Sequence, residues 1–120
     1  MAKLLERREF TRRKSRFTLR YKDLAKPTEK FRTAISADVS EGGVRFQSEK
    51  FIALACHLAV ELEIPTMLKP IKVISKIAWV KKLPIGEDYE VGNQFLEISN
   101  ESKDVIRSFM RGDLRLPASF

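Results

Sequence analysis

The chain has one cysteine, Cys56, among its 120 residues. A lone thiol excludes an internal disulfide framework and any multi-cysteine zinc site, and it suits a reducing compartment. Long apolar runs are missing too. The longest, Phe51-Ile-Ala-Leu-Ala-Cys56, is six residues, against the roughly 18 a membrane-spanning helix needs. The start, Met1-Ala-Lys-Leu-Leu-Glu-Arg-Arg, lacks the roughly 7–15 apolar residues of a secretory signal, so a cytoplasmic location is expected. Glycine and proline number five each, and no repeat, low-complexity tract or linker marks a boundary. One compact domain with short tails is the simple expectation. Catalytic signatures are equally scarce. No Gly-x-x-x-x-Gly-Lys loop, His-Glu-x-x-His helix or nucleophile elbow occurs, so Ser40, His57 and Asp38 have no context for a hydrolytic triad. Cys56 and His57 are neighbours, and in a strand they would point to opposite faces, which suits neither a nucleophile–base pair nor a metal pair. Cys56 is therefore assigned to the core. No enzyme and no metal are expected.

What is present is enough apolar material to fold: 43% of residues are hydrophobic and 32% are charged, sufficient for one core and too few residues for two. The formal net charge of +7 is unevenly placed. Residues 1–32 hold 12 Lys/Arg against 4 Asp/Glu, whereas the remaining 88 hold 11 against 12. Arg7, Arg8, Arg12, Arg13, Lys14, Arg16 and Arg20 form the dense part. A basic segment leading into a near-neutral body reads as an anion-binding arm, with nucleic acid, anionic lipid or a phosphorylated small molecule as the anion.

Apolar residues recur with a period of two in six short segments. Phe17, Leu19 and Tyr21 alternate with polar neighbours, as do Leu58, Val60, Leu62 and Ile64 before Pro65, the pattern of half-buried strands. Phe31, Thr33, Ile35 and Val39 mark another strand, which turns at Gly42-Gly43 and resumes at Val44-Arg-Phe46. Ile71 and Val73 alternate, break near Ser75 and resume with Ile77 and Trp79; Val91, Phe95 and Ile98 follow around Gly92. That change of phase predicts a bulge. Trp79 is assigned to the core, with an exposed edge stacking on a base as the alternative. Ser99-Asn-Glu-Ser then opens a helix that places Val105, Ile106, Phe109 and Met110 at helical spacing and stops at Gly112. The predicted fold is mostly β: a small six-stranded antiparallel barrel with a C-terminal helix. Its divisions are a basic arm over 1–14, the barrel and helix over 15–112, and a tail over 113–120.

Two segments taken together resemble the PilZ domain family. Glu6-Arg-Arg-Glu-Phe-Thr-Arg12 is similar to its Arg-x-x-x-Arg motif through Arg8 and Arg12, and Asp38-Val-Ser-Glu-Gly-Gly43 to its Asp/Asn-x-Ser-x-x-Gly motif. Val44-Arg-Phe, Ile77-Ala-Trp-Val and Val91-Gly-Asn-Gln-Phe-Leu-Glu-Ile-Ser extend the likeness from about Glu6 to Met110. The resemblance implies a bacterial receptor for the second messenger cyclic di-GMP, acting on a protein partner not identified by the sequence. It also implies that Arg7, directly before the pair, favours two stacked ligand molecules per chain.

The residue chemistry suits that ligand. Arginine can fork onto a phosphate or the O6/N7 edge of guanine, and can stack on a purine. Asp38 and Ser40, two apart in a strand, present a carboxylate and a hydroxyl on one face, and the carboxylate can accept from guanine N1–H and N2–H together. Gly42 and Gly43 are expected to shape the turn and permit close approach. With Phe10 as its main apolar anchor, the arm is expected to be mobile until phosphates supply counter-charge. Two rival readings are a basic barrel that binds single-stranded nucleic acid and a protein-interaction adaptor without ligand. Few exposed aromatics count against the first, and the intact motifs against the second.

Overall fold

The computed structural model describes residues 13–14, 16–65 and 67–112. Among the described residues, seven strands and one helix follow in order: β1 (Arg13–Lys14), β2 (Thr18–Asp23), β3 (Arg32–Ser40), β4 (Gly43–Ser48), β5 (His57–Leu62), β6 (Ile71–Lys82), β7 (Tyr89–Glu97) and α1 (Asn100–Arg111). All strand pairs are antiparallel. The order β3-β2-β5-β6-β7-β4 closes through a β3–β4 pairing, giving the expected six-stranded barrel with a C-terminal helix. The two-residue β1 lies on β3 beyond the end of β2, with Arg13 opposite Val39 and Lys14 opposite Asp38. Closure removes the free edges that an open sheet of this size would expose.

The period-two reading holds where strands are regular. Leu58, Val60 and Leu62 of β5 face inward with Leu19 and Tyr21 of β2, while His57 lies outside. The polar groups inside are paired: Ser75 Oγ donates to Asn93 Oδ1 at 2.6 Å, and Asn93 Nδ2 donates to the Val44 carbonyl at 3.4 Å. Helix α1 begins at Ser99, whose side chain accepts from the Ser102 amide, and ends at Gly112 in the left-handed region. It buries Ile106 and Phe109, the latter edge-on to Phe17 at 5.9 Å. The helix thus covers one end of the barrel, where β2 begins and β3 finishes.

Three bulges depart from simple alternation. Two lie between β6 and β7, where the irregularity was expected: Leu96 is the extra residue on β7 opposite Ile74 and Ser75, and Ala78 the extra residue on β6 between Ile77 and Trp79. The third, unforeseen, lies on β3 between Ser36 and Asp38. Ala37 is the extra residue, and it reverses the inward phase. Before it Ala34 and Ser36 face inward; after it Val39 does, fully buried against Val44. The sequence pattern of Phe31, Thr33 and Ile35 therefore marks the outer side of β3. Ile35 is 42% exposed, and Phe31 leaves the core to lie beneath Arg20 and Lys22, whose charged groups sit 4.8 and 5.0 Å from its ring centre.

Candidate ligand-binding site

The bulge at Ala37 is what gives the second motif a side away from the core. Asp38 pairs in register with Arg45, and Arg45 with Gly92, which in turn faces Trp79. These four residues form a row across β3, β4, β7 and β6 on the outer surface. Lys14 of β1 is the register partner of Asp38 on the other side of β3. Asp38 is buried, and its Oδ2 accepts from Arg45 Nη2 at 2.8 Å. The second arm of the Arg45 guanidinium reaches Glu90 Oε2 at 3.1 Å. Arg45 Nε is buried and has no hydrogen-bond partner among the described residues, an orphan donor of the kind that costs stability unless an acceptor arrives.

The turn after β3 is Glu41-Gly42. Ser40 Oγ accepts from the Gly42 amide at 3.1 Å, a local turn bond that uses the hydroxyl as acceptor and leaves its proton to give elsewhere. The Gly42 carbonyl accepts from the Phe95 amide at 2.8 Å, so the turn is pinned to β7. The expectation that both glycines shape the turn through unusual dihedral angles is corrected. The glycines in the left-handed region are Gly86 and Gly112. Gly43 instead belongs to β4, where a Cβ would stand 2.0 Å from the Asn93 carbonyl oxygen. Its bareness lets β4 and β7 approach.

Glu41, which the sequence reading left without a role, is gripped by helix α1. Arg107 Nε and Nη2 donate to its two carboxylate oxygens at 3.0 and 2.9 Å, while Arg107 Nη1 holds Asp104 at 2.7 Å. The Glu41 bond and charge push the Arg107 pKa above the ordinary arginine value, with desolvation opposing. At the other side of the turn, the start of β2 is tied to β3: the Phe17 amide donates to Ser36 Oγ at 3.0 Å, and the Ser36 amide to the Phe17 carbonyl at 2.9 Å.

Of the predicted site residues, Asp38, Ser40, Gly42 and Gly43 lie together at this end of the barrel. Arg7, Arg8 and Arg12 lie outside the described residues. Arg12 is nonetheless covalently joined to Arg13, whose register partner is Val39. Two residues missed as site members, Arg45 and Trp79, share the outer row with Asp38. Trp79 is not core, as the alternation had led us to expect. The β6 bulge at Ala78 turns it outward, where it remains 38% exposed with its indole laid directly over Gly92. The signal for it was the pair itself: a bare Gly92 opposite an aromatic across a strand pair.

Cys56, expected in the core, is half-buried at the opposite end of the barrel. Burial, reinforced by nearby Asp23, pushes its thiol pKa up to about 11.

A closed antiparallel barrel of six strands, plugged at one end by a helix that grips a polar turn, defines the structural class. The sequence profile of the PilZ domain matches residues 6–112. The chain belongs to the PilZ domain family. Among solved structures, it is similar to the inhibitor of motility MotI/DgrA of Bacillus subtilis, with TM-score 0.75 and 13% identity over 88% of this chain and 50% of that one. The PilZ domain of YcgR from Escherichia coli, solved with c-di-GMP, gives 0.68 and 14% over 88% and 90%. The K. pneumonia MrkH–c-di-GMP complex gives 0.66 and 13% over 88% and 50%. The chain thus spans half the length of MotI/DgrA and MrkH. At these identities the likeness establishes the fold. No curated protein sequence matches the chain. No helix among the described residues is long and apolar enough to cross a membrane.

Proposed function

We propose that this chain is a cytoplasmic cyclic di-GMP receptor that regulates a protein partner and performs no catalysis itself. One observation carries the reading. The β1–β3 register sets Arg13 opposite Val39 and Lys14 opposite Asp38, so the chain that directly follows Arg12 in sequence runs beside the Asp38–Gly43 motif. This supports a reading in which two motifs about 26 residues apart in sequence serve one ligand. The ligands named for the YcgR and MrkH structures supply the identity of the nucleotide.

In this reading Arg7, Arg8 and Arg12 supply guanidinium groups to phosphates and guanine edges, and Asp38 accepts from guanine N1–H and N2–H. Ser40 gives its hydroxyl proton, while Gly42 and Gly43 keep the turn low enough for approach. Arg45 and Trp79 extend the surface along the outer row, one as a donor and one as a stacking face. Two intercalated ligand molecules per chain bring about four negative charges, which the arm arginines offset. Ordering of the arm over the barrel then changes the surface that a partner meets.

Calorimetry tests this. Cyclic di-GMP should bind with a stoichiometry of two, and Arg8→Ala and Arg12→Ala should each weaken it by about 1.5–3 kcal/mol, the scale of charge-assisted contacts. Cyclic di-AMP should bind at least ~100-fold more weakly, since adenine N1 offers a lone pair to the Asp38 carboxylate. Tighter binding of single-stranded DNA than of cyclic di-GMP at equal charge overturns the reading. A stoichiometry of one, unchanged in Arg7→Ala, removes the ligand pair only.

A further inference from the structure

The basic quarter of the sequence is not one patch in the fold. Lys22, Lys26, Lys30 and Arg32 belong to it, yet they sit at the end of the barrel opposite the Asp38–Gly43 turn. Strand β3 runs nine residues from Arg32 to Ser40, eight steps or about 26 Å at roughly 3.3 Å per residue. That is about three Debye lengths at physiological salt. An anion bound at the turn therefore leaves these charges uncompensated.

They surround a cavity. With Lys50 from the loop before β5, five cations and two carboxylates, Asp23 and Glu29, line a hollow of about 280 Å³. Its floor is apolar, formed by buried Tyr21, Ile52 and Leu58. On the loop beside it, Phe51 and Leu54 are 62% and 61% exposed, with Phe51 edge-on to Tyr89 at 5.6 Å. Solvated lysines need neither an apolar floor nor large exposed apolar side chains at the rim.

Size and chemistry narrow the occupant. Pockets that enclose a whole small ligand run from about 300 to 1,000 Å³, so this hollow suits one large side chain presented by a longer chain. A nucleic acid backbone could meet the cations but would leave the apolar floor empty. We infer that this end of the barrel docks an acidic segment of a partner protein, with one aromatic or aliphatic side chain seated in the cavity and flanking carboxylates paired with Lys26, Lys30, Arg32 and Lys50. An anchor in a desolvated pocket supplies affinity, and the charged rim supplies steering and selectivity. The inference stands whether or not the opposite end binds cyclic di-GMP.

Nuclear magnetic resonance on the full chain tests it, with the synthetic peptide Glu-Asp-Glu-Trp-Glu-Asp-Glu as probe. Amide shifts should concentrate at Ala53, Cys56 and Leu58, with a dissociation constant below about 1 mM. Replacing the tryptophan of the peptide by alanine should weaken binding about tenfold, as removal of an anchor does. Lys30→Glu with Lys50→Glu should weaken it by at least about as much, and saturating cyclic di-GMP should leave it unchanged. Because both lysines are exposed, the double variant keeps its fold, which unchanged shifts elsewhere would verify. The inference is overturned if the alanine peptide binds equally well, if inorganic phosphate reproduces the shifts at equal ionic strength, or if a DNA duplex displaces the peptide from these amides. Absence of any shift at this end up to about 5 mM peptide also overturns it.

Discussion

Gly43→Ala separates two reasons for a glycine at the end of the second motif. The added Cβ would lie 2.0 Å from the Asn93 carbonyl oxygen and 3.1 Å from its carbon, both backbone atoms of the adjoining strand. A carbon–oxygen contact is comfortable only near 3.3 Å or beyond, so β4 and β7 must part by roughly 1.3 Å. The local pairs Gly43 with Gln94 and Val44 with Asn93 then stretch, and the neighbouring bond from the Phe95 amide to the Gly42 carbonyl, 2.8 Å long, goes with them. Weakening one or two buried backbone bonds costs about 2–4 kcal/mol, and for a domain of this size Tm falls by about 10 °C. Gly86→Ala is the matched control. Gly86 has φ of +82° and nothing within 4 Å of an added Cβ, so only backbone strain of about 1 kcal/mol is at stake. Urea denaturation of both variants, without ligand, reads the difference. If Gly43→Ala is no worse than Gly86→Ala, the close approach of β4 to β7 is wrong and the glycine is there for the ligand alone.

Three further outcomes are expected. Arg107→Gln and Glu41→Gln should each weaken cyclic di-GMP binding by roughly fivefold, the low end of coupling between sites, while the exchanged pair Glu41→Arg/Arg107→Glu restores part of it; equal affinity in all variants in calorimetry refutes a positioning role for the clamp. Gly92→Ala should push the Trp79 indole off the barrel surface, since its Cβ would stand 2.2 Å from Nε1. Tryptophan emission should shift to longer wavelength, with a smaller stability loss than in Gly43→Ala because a side chain and not backbone yields; unchanged emission contradicts the stacking. The Cys56 thiol, raised to about 11, should stay protonated and slow to alkylate at pH 8, with a rate that climbs up to about pH 11. A plateau near the ordinary thiol value of about 8.5 shows that the site is not desolvated.

The strands and the helix were legible because each carries its own period: Leu58, Val60 and Leu62 need only the β repeat, and Ile106 with Phe109 only the helical one. The Asp38–Gly43 motif was legible as a set of residue types. What the sequence concealed was phase. Nothing in Ser36-Ala37-Asp38 announces an extra residue, since Ala37 is compatible with either face, so β3 was given the wrong buried side. The same ambiguity put Trp79 inside, because Ala78 hides the bulge of β6. Pairings between distant segments were also invisible. Glu41 and Arg107 stand 66 positions apart, and a surface glutamate in a turn gives no hint of its partner. The basic quarter was read as one arm because charge was counted along the chain, whereas β2, β3 and the loop between them carry a third of its Lys and Arg residues, Lys22, Lys26, Lys30 and Arg32, to the opposite end.

The extra residue in β3 also means that the motif's chemistry and its orientation are encoded separately. Drawing Ala37 into the ladder, with every residue of the motif still present, would swing the carboxylate and the hydroxyl toward the packed interior and Val39 into solvent, whereas deleting it would leave Asp38 opposite Arg45 on the outer face. A barrel of this shape can therefore lose, or acquire, a presented acidic site through a one-residue change of register that alters no functional group. Comparisons that count only motif letters would not register the change.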